Sequence, residues 1–437
     1  MNNLNISGSK CIKRINEFEP QNKILFVCLD YFPFSGACTN ILKNILLCKH
    51  DKYSFEAHVL TIKYGPKQLD YEVINGIHIH RLLIYELVPY ANGKKIFKDS
   101  VSEGIRYFWK KGWNEIVRKR FVRKEFLNEK ISLLVKEKIV ELSVLNFSAI
   151  IPISGQYNAV DACLQYKRVT SRKEKLVIYQ LDPCSNNEGF SRLSKAARER
   201  FEQAMLNNAN YIITIPSIYD SISKSLSEIQ KQKYKVLEIP NVTSENIDPL
   251  KSSYFIDEHK NGRICCVYAG QLYKKIRDPQ YTIRIFNSLK DHHYILYLVG
   301  IYEKDLPEEC RKMDNIICLG KKSIQETKEI LNESDILINI GNNVTNQIPS
   351  KIFEYISTGK PIINFHKSMQ CPTLRYMEKY PCALNVLECE EQYEDNIVKI
   401  AEFIANNSNT RIDPLLIENL YIDCTPDYFL HALLQLL

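Results

Sequence analysis

Short apolar runs alternate with longer stretches of helical period along most of the chain, which is the pattern of a parallel sheet covered by helices. Lys23–Asp30, Phe55–Ile62, Ile77–Ile84, Ala149–Ser154, Leu176–Leu181 and Tyr211–Ile215 read as six strands, with a long helical insert between the third and the fourth. A second series reads as Arg263–Ala269, Tyr294–Val299, Asn315–Leu319, Asp335–Ile340, Pro361–Phe365 and Ala383–Val386. Two separate strand series predict an α/β chain of two Rossmann-like domains. The join falls in Ile239–Lys260, where Pro240, Asn241 and Pro249 punctuate a polar segment. Near the end, Thr425-Pro426-Asp427 has the form of an N-cap, a first-turn proline and an acidic first turn before an apolar run. The expected organisation is an N-terminal domain over 1–245 with a basic helical insert at about 90–145, a C-terminal domain over 246–424, and a terminal helix over 425–437 available to pack back on the N-terminal domain.

Composition narrows the class. The chain has 437 residues, 45% of them hydrophobic and 25% charged, which rules out wholesale disorder, collagen-like repeats and a bare coiled coil. Its net charge of +7 suits anionic ligands without requiring nucleic acid. Fourteen cysteines run from Cys11 to Cys424, several within apolar strands such as Cys28, Cys265, Cys266 and Cys318, where a thiol serves as a small core hydrophobe. No Cys-x-x-Cys occurs, so a reducing compartment is expected. The first twenty residues lack the apolar core of a signal peptide, and no run approaches 18 apolar residues. The expected location is the cytoplasm, with the inner face of a membrane as an extension of it.

Two loops carry candidate chemistry. The first follows the opening strand, Asp30 to Asn40, where Ser35 and Gly36 precede a helix and Gly36 lets backbone approach a substrate closely. It reads equally as a plain strand-to-helix turn. It is not a dinucleotide fingerprint, and no Gly-x-Gly-x-x-Gly or P-loop occurs in the chain. The second lies in Asp335–Phe365: a strand ends near Ile340, Pro349 suits a first helical turn, and Gly359 closes the helix. Backbone N–H groups at that helix start favour a phosphate, with a hydroxyl from Ser350 and a positive charge from Lys351. Glu354 follows on roughly the same face, where a carboxylate accepts from ribose hydroxyls. The plainer alternative is a core helix with a surface ion pair.

The run Pro349-Ser350-Lys351-Ile352-Phe353-Glu354-Tyr355 with Gly359-Lys360-Pro361 closely resembles the donor-binding signature of GT-B glycosyltransferases, especially the retaining family-four group. Lys23–Asn40 resembles that family's opening strand and acceptor-side loop, Pro240-Asn241 its hinge, and Val267-Tyr268-Ala269-Gly270 the start of its second domain. The resemblance implies parallel sheets facing across a cleft, and transfer of a sugar from a nucleoside diphosphate sugar with retention of configuration. It implies no cofactor beyond the donor substrate. In the family two acids separated by seven residues bracket the donor; Glu354 stands at the second position and Asn346 at the first, so binding rather than catalysis carries over to Asn346. Gln271 occupies the usual arginine position after Gly270, which moves the diphosphate cation to Arg277, with Lys351 as the second. The implied site is therefore Arg277 and Lys351 for the leaving group, Gly270, Asn346, Ser350 and Glu354 for the donor, and Ser35 and Gly36 on the acceptor side.

No metal site is expected: the chain has no Asp-x-Asp, and His292-His293 has no cysteine or carboxylate at ligand spacing. His78 and His80 alternate on one strand face, and one of them, or Asp182, is expected to border the cleft. Between Lys94 and Lys138 stand fourteen Lys/Arg and six Asp/Glu, with both tryptophans, Trp109 and Trp113. Such a surface suits an anionic membrane or a lipid-phosphate acceptor, and the alternative is a charged hairpin packed on the domain. The partners expected are thus a nucleotide sugar, a glycan or lipid-linked acceptor and an anionic membrane surface, and no nucleic acid. Two rivals share these residues: a nucleotide-sugar epimerase of the same fold, and a non-catalytic scaffold that binds the nucleotide sugar.

Overall fold

A computed structural model describes residues 22–31, 36–48, 53–65, 67–85, 101–102, 104–106, 108–109, 126–155, 157–170, 172–187, 194–243, 262–272, 277–289, 293–302, 306, 313–344 and 346–437. Ser35, Pro249, Trp113 and residues 110–125 of the basic insert lie outside them.

The N-terminal half forms one sheet of β1 (Asn22–Val27), β2 (Phe55–Ile62), β3 (Tyr71–Ile74), β4 (Ile77–Leu82), β5 (Ala149–Pro152), β6 (Lys175–Gln180), β7 (Tyr211–Thr214) and β8 (Tyr234–Val236). Their order is β3-β4-β2-β1-β5-β6-β7-β8, with every pair parallel except β3 with β4. The central strands are mostly apolar and buried on both faces, as a helix-covered parallel sheet requires, with polar residues such as Glu56 and His58 toward the start of β2. Two strands go beyond the expectation. β3 and β8 are short edge strands whose residues stay partly or fully exposed, so they lack the continuous apolar run that marks the others. A tight Asn75-Gly76 turn joins β3 to β4, which ends at Leu82 rather than Ile84.

The C-terminal half forms a second sheet of β9 (Ile264–Ala269), β10 (Tyr294–Val299), β11 (Ile316–Gly320), β12 (Ile336–Ile340), β13 (Ile362–His366) and β14 (Ala383–Leu387). Its order is β11-β10-β9-β12-β13-β14, all parallel. Three asparagines in register, Asn339, Asn364 and Asn385, pass amide hydrogen bonds of 2.7 and 2.8 Å across β12, β13 and β14. Each thereby satisfies the next inside the sheet.

Helices cover both sheets. One face of the first sheet packs against α2 (Glu129–Leu142), α3 (Tyr157–Val169) and α4 (Lys195–Asn208). One face of the second packs against α5 (Gln280–Ser288) and α7 (Tyr393–Asn407). The remaining faces share one apolar cluster with α1 (Ala37–Leu47), α6 (Lys351–Ser357) and α8 (Pro426–Leu434), which runs from one half to the other. Helix α8 starts as its sequence suggests: Thr425 Oγ1 accepts from the Tyr428 N–H, and Pro426 occupies the first turn. Its Phe429 ring lies 4.8 Å from Tyr179, and Tyr53 Oη donates to Asp427 Oδ1 at 2.8 Å. Lys175 Nζ donates to the Leu436 and Leu437 carbonyls at 3.0 and 2.9 Å, so the C-terminal segment rests on the first half. The connecting strand is tied to both sides through Asn44 Nδ2 to Asn241 Oδ1, and Thr243 N–H to Ser357 Oγ.

Candidate active cleft

The carboxyl ends of β9 and β12 meet the start of α6, because β12 pairs directly with β9 and the loop after β12 feeds that helix. Tyr355, one turn into α6, accepts from the Ala269 N–H through its hydroxyl at 2.8 Å and so fixes the helix to the end of β9. Arg277 is the cation held there. Its Nε and Nη2 donate to Asn342 Oδ1 at 3.1 and 2.7 Å, and its Nη1 donates to Tyr268 Oη at 3.1 Å. These use three of five N–H groups and leave two without a partner among the described residues. Gly270 makes room for this arrangement, since a Cβ there would stand 2.9 Å from the Tyr268 hydroxyl and 3.5 Å from Arg277 Nη1.

Lys351 and Glu354 are joined to each other, Nζ to Oε2, at 2.6 Å on the partly exposed face of α6. The ion pair offered as the plainer alternative is therefore present, and in this state neither side chain is turned to a ligand. Ser350 begins the helix in an α-like conformation without a side-chain cap. Asn346 reaches across the cleft, its Nδ2 donating to the Asn186 carbonyl at 3.0 Å. Lys360, part of the recognised run, is buried and donates to the Asn332 and Ser334 carbonyls, which makes it a structural lysine.

Across from this lie the carboxyl ends of β1, β5 and β6, adjacent strands of the first sheet. Asp30 leaves β1, accepts from the Cys28 thiol at 3.3 Å, and takes the Thr39 hydroxyl on its carbonyl. A Cβ on Gly36 would stand 2.8 Å from Asp30 Oδ2, so glycine lets the start of α1 sit against that carboxylate. Burial raises the Asp30 carboxyl, and Asp182 after β6 is raised to about 6 by burial first and by the nearby Asp30 second. The same burial and carboxylates push the Cys28 and Cys38 thiols well up, which leaves them protonated and unreactive. The loop after Asp182 is held by Tyr157 Oη on the Pro183 carbonyl at 2.6 Å and by Arg198 Nη1 on the Cys184 and Asn187 carbonyls at 2.9 Å each.

Of the residues expected at this border, Asp182 is there and the histidines are not. His78 lies near the start of β4, and His80 is buried against His58. The cleft opens at carboxyl ends, so residues early in a parallel strand face the other way. Asn342 and Tyr268 were not singled out by sequence, although both contact Arg277. Their signal is weak because the contacts join residues 65 and 9 positions apart. A cavity of 280 Å³ lies at the far ends of α1 and α6, lined among others by Asn44, Val242, Thr243, Ser357 and Asp427, and is separate from this site.

No family model matches the sequence, and no curated protein does. Solved structures match over nearly the whole chain. Sucrose-phosphate synthase from Thermosynechococcus elongatus superposes with a TM-score of 0.61 at 12% identity, covering 95% of this chain and 98% of its own. Anabaena HepE, solved in complex with UDP, gives 0.59 at 13% identity, covering 94% and 98%. A UDP-N-acetylglucosamine 2-epimerase gives 0.50 at 8% identity, covering 92% and 95%. Among the described residues no helix is long and apolar enough to cross a membrane. Two mainly parallel sheets, with carboxyl ends facing across a cleft and matched along their length by these proteins, give the chain the GT-B fold.

Proposed function

We propose that the chain is a glycosyltransferase that moves a sugar from a nucleoside diphosphate sugar to a hydroxyl acceptor, with retention at the anomeric carbon. The observation that carries this reading is Arg277, a guanidinium steadied by Asn342 and Tyr268 beside the bare backbone of Gly270, with donors left over for an anion. A guanidinium forks onto phosphate oxygens, and a dianionic diphosphate placed there draws Lys351 away from Glu354. That releases the Glu354 carboxylate to accept from ribose hydroxyls, while Ser350 and Asn346 bind donor oxygens. As the glycosidic bond to the diphosphate breaks, Arg277 and Lys351 stabilise the departing charge, and the acceptor attacks from the same face. In this reading these side-chain cations take the place of a chelated divalent ion, consistent with a sequence lacking Asp-x-Asp.

Asp30 and Asp182 line the acceptor side, where carboxyls hydrogen-bond sugar hydroxyls, and Ser35 and Gly36 let the acceptor approach. A lipid-linked or surface-glycan acceptor at the cytoplasmic face of a membrane suits the basic insert, in which Val101, Ile105 and Trp109, spaced by four, are all exposed, Trp109 by 71%.

A panel of nucleoside diphosphate sugars tested by thermal shift, followed by acceptor-dependent turnover with vesicle-borne glycolipids, tests this. One sugar nucleotide is expected to raise the melting temperature, because a ligand specific for the native state stabilises it, and free nucleoside diphosphate is expected only with acceptor. Isomerisation of the sugar without acceptor would favour the epimerase, and binding without turnover would favour the scaffold. Association with anionic vesicles should exceed that with neutral ones and weaken as salt rises. Equal binding to both at low salt removes the lipid-linked acceptor.

A further inference from the structure

We propose that Glu56, His58 and His78 form a zinc site at the amino ends of β2 and β4, remote from the cleft. The register builds it. Glu56 and His58 stand two apart on β2 and so share a face, and His78 lies directly opposite His58 on the parallel neighbour β4. The His58 and His78 rings stack with centroids 4.6 Å apart, and one ligand atom from each of the three residues lies within 4.8 Å of the other two.

The outer nitrogens are already engaged. His58 Nδ1 meets His80 Nε2 at 2.9 Å, and His78 Nδ1 meets Tyr71 Oη, from β3, at 2.7 Å. Both Nε2 atoms are turned to the same carboxylate oxygen, Glu56 Oε1, at 2.6 Å for His58 and 3.9 Å for His78. This is the arrangement in which metal-bound histidines are held, with Nδ1 on an outer partner and Nε2 inward. Tetrahedral zinc with bonds of about 2.0 to 2.1 Å separates its ligand atoms by about 3.3 Å. The shorter contact must therefore open and the longer one close, each by less than about 1 Å. Zinc on His58 Nε2 places that ring's proton on Nδ1, from which it is donated to His80 Nε2.

Two imidazoles and a carboxylate suit zinc, whereas magnesium and calcium take oxygen ligands throughout. Side-chain exposures of 27% for His78 and 24% for Glu56 give the ion an entry path and leave a position for water, while His58 is buried with Phe147 edge-on at 5.2 Å. Lys23 Nζ competes for Glu56 Oε1 from 3.7 Å on β1, but its side chain is one-third exposed and its flexible stem can swing to solvent. A bound ion would staple β4 to β2 where the sheet approaches its edge. Sequence spacing conceals the set, because two ligands come from one strand and the third from another twenty residues later.

Zinc chloride titrated into the chelator-stripped full chain tests the site by calorimetry, thermal shift and X-ray absorption. The expected result is one equivalent bound with a rise in melting temperature. The expected shell holds nitrogen and oxygen at about 2.0 to 2.1 Å with imidazole scattering and no sulfur near 2.3 Å. His78→Ala and Glu56→Gln, both at partly exposed positions, are each expected to weaken binding at least tenfold while keeping any nucleotide-sugar shift of the wild type. Failure to bind one equivalent, undiminished binding by His78→Ala, or a sulfur shell pointing to the cysteines would overturn the proposal.

Discussion

On the C-terminal wall of the cleft a cation is steadied by neutral partners: Arg277 rests on Asn342 and Tyr268 and keeps donors for something else. On the N-terminal wall two carboxyls, Asp30 and Asp182, are half-buried near each other, and among the described residues neither has an ion-pair partner. The first wall presents a planar fork of N–H donors. The second wall charges reluctantly, because desolvation disfavours the carboxylate at both positions and an ionised Asp30 further disfavours charge on Asp182. On the proposed reading, a cleft with one cationic wall and one reluctantly acidic wall sorts its occupants by charge, an anion to the first and hydroxyls to the second. Lys351 and Glu354 stand between these extremes as a pair joined to each other at 2.6 Å.

The largest expected effect of breaking this contrast is at Arg277. Arg277→Ala should lower turnover of the sugar nucleotide by about 10² to 10³, the range for removing a preorganised donor from a developing anion, with little change in binding of the free nucleoside. Arg277→Lys should recover only part of it, since the fork is lost. Unchanged initial rates in Arg277→Ala would remove the cationic wall from the chemistry.

A smaller loss is expected from Glu354→Ala. Removing a hydrogen bond to a charged group should weaken nucleotide-sugar affinity by about 1 to 3 kcal/mol, measured by calorimetry on a folded variant. Because the same change frees Lys351, inorganic pyrophosphate, which has no ribose, should bind no worse. Undiminished affinity for the complete donor would mean that the ion pair is only a surface feature.

The smallest effect is on the acidic wall and is one of pH. Asp182 has a folded-state value of about 6, above the ordinary 3.8, so the native state holds its proton more tightly than the unfolded chain. The stabilisation by that proton is full below about pH 4 and is lost as pH rises through about 6. Asp182→Asn should therefore be more stable than wild type above pH 7, by a margin on the order of 3 kcal/mol read from denaturant unfolding, and the gap should close near pH 4. A gap that does not vary with pH would show that the carboxyl is well solvated, and the contrast between the walls would fall.

How much of this was legible depended on distance along the chain. The Glu354–Lys351 pair was open to view as an alternative because the partners are three residues apart on one helix. Asn342 was not, because its role exists only when the loops after β9 and β12 are brought together by strand pairing. Asn346 stood out as a departure from an acidic position, yet its bond to Asn186 spans 160 residues and belongs to no local pattern. Edge strands β3 and β8 were missed for the opposite reason: their signal is local but weak, since half-exposed strands need no continuous apolar run.

By itself the sequence determined the two mainly parallel sheets, the helix that starts at Lys351, although Pro349 falls just before its N-cap Ser350 and not in its first turn, the capped helix at Pro426 and the small-residue positions at Gly36 and Gly270. Those features follow from burial period, backbone freedom and capping chemistry, all of which act over a few neighbouring residues. Only the tertiary structure decided that Arg277 rests on Asn342, that Asp182 is drawn into burial beside Asp30, and that three ligand-bearing residues meet at the starts of β2 and β4. The physical reason is that desolvation, charge coupling and ligand geometry depend on separation in space, and strand order and register set that separation without leaving a periodic mark along the chain.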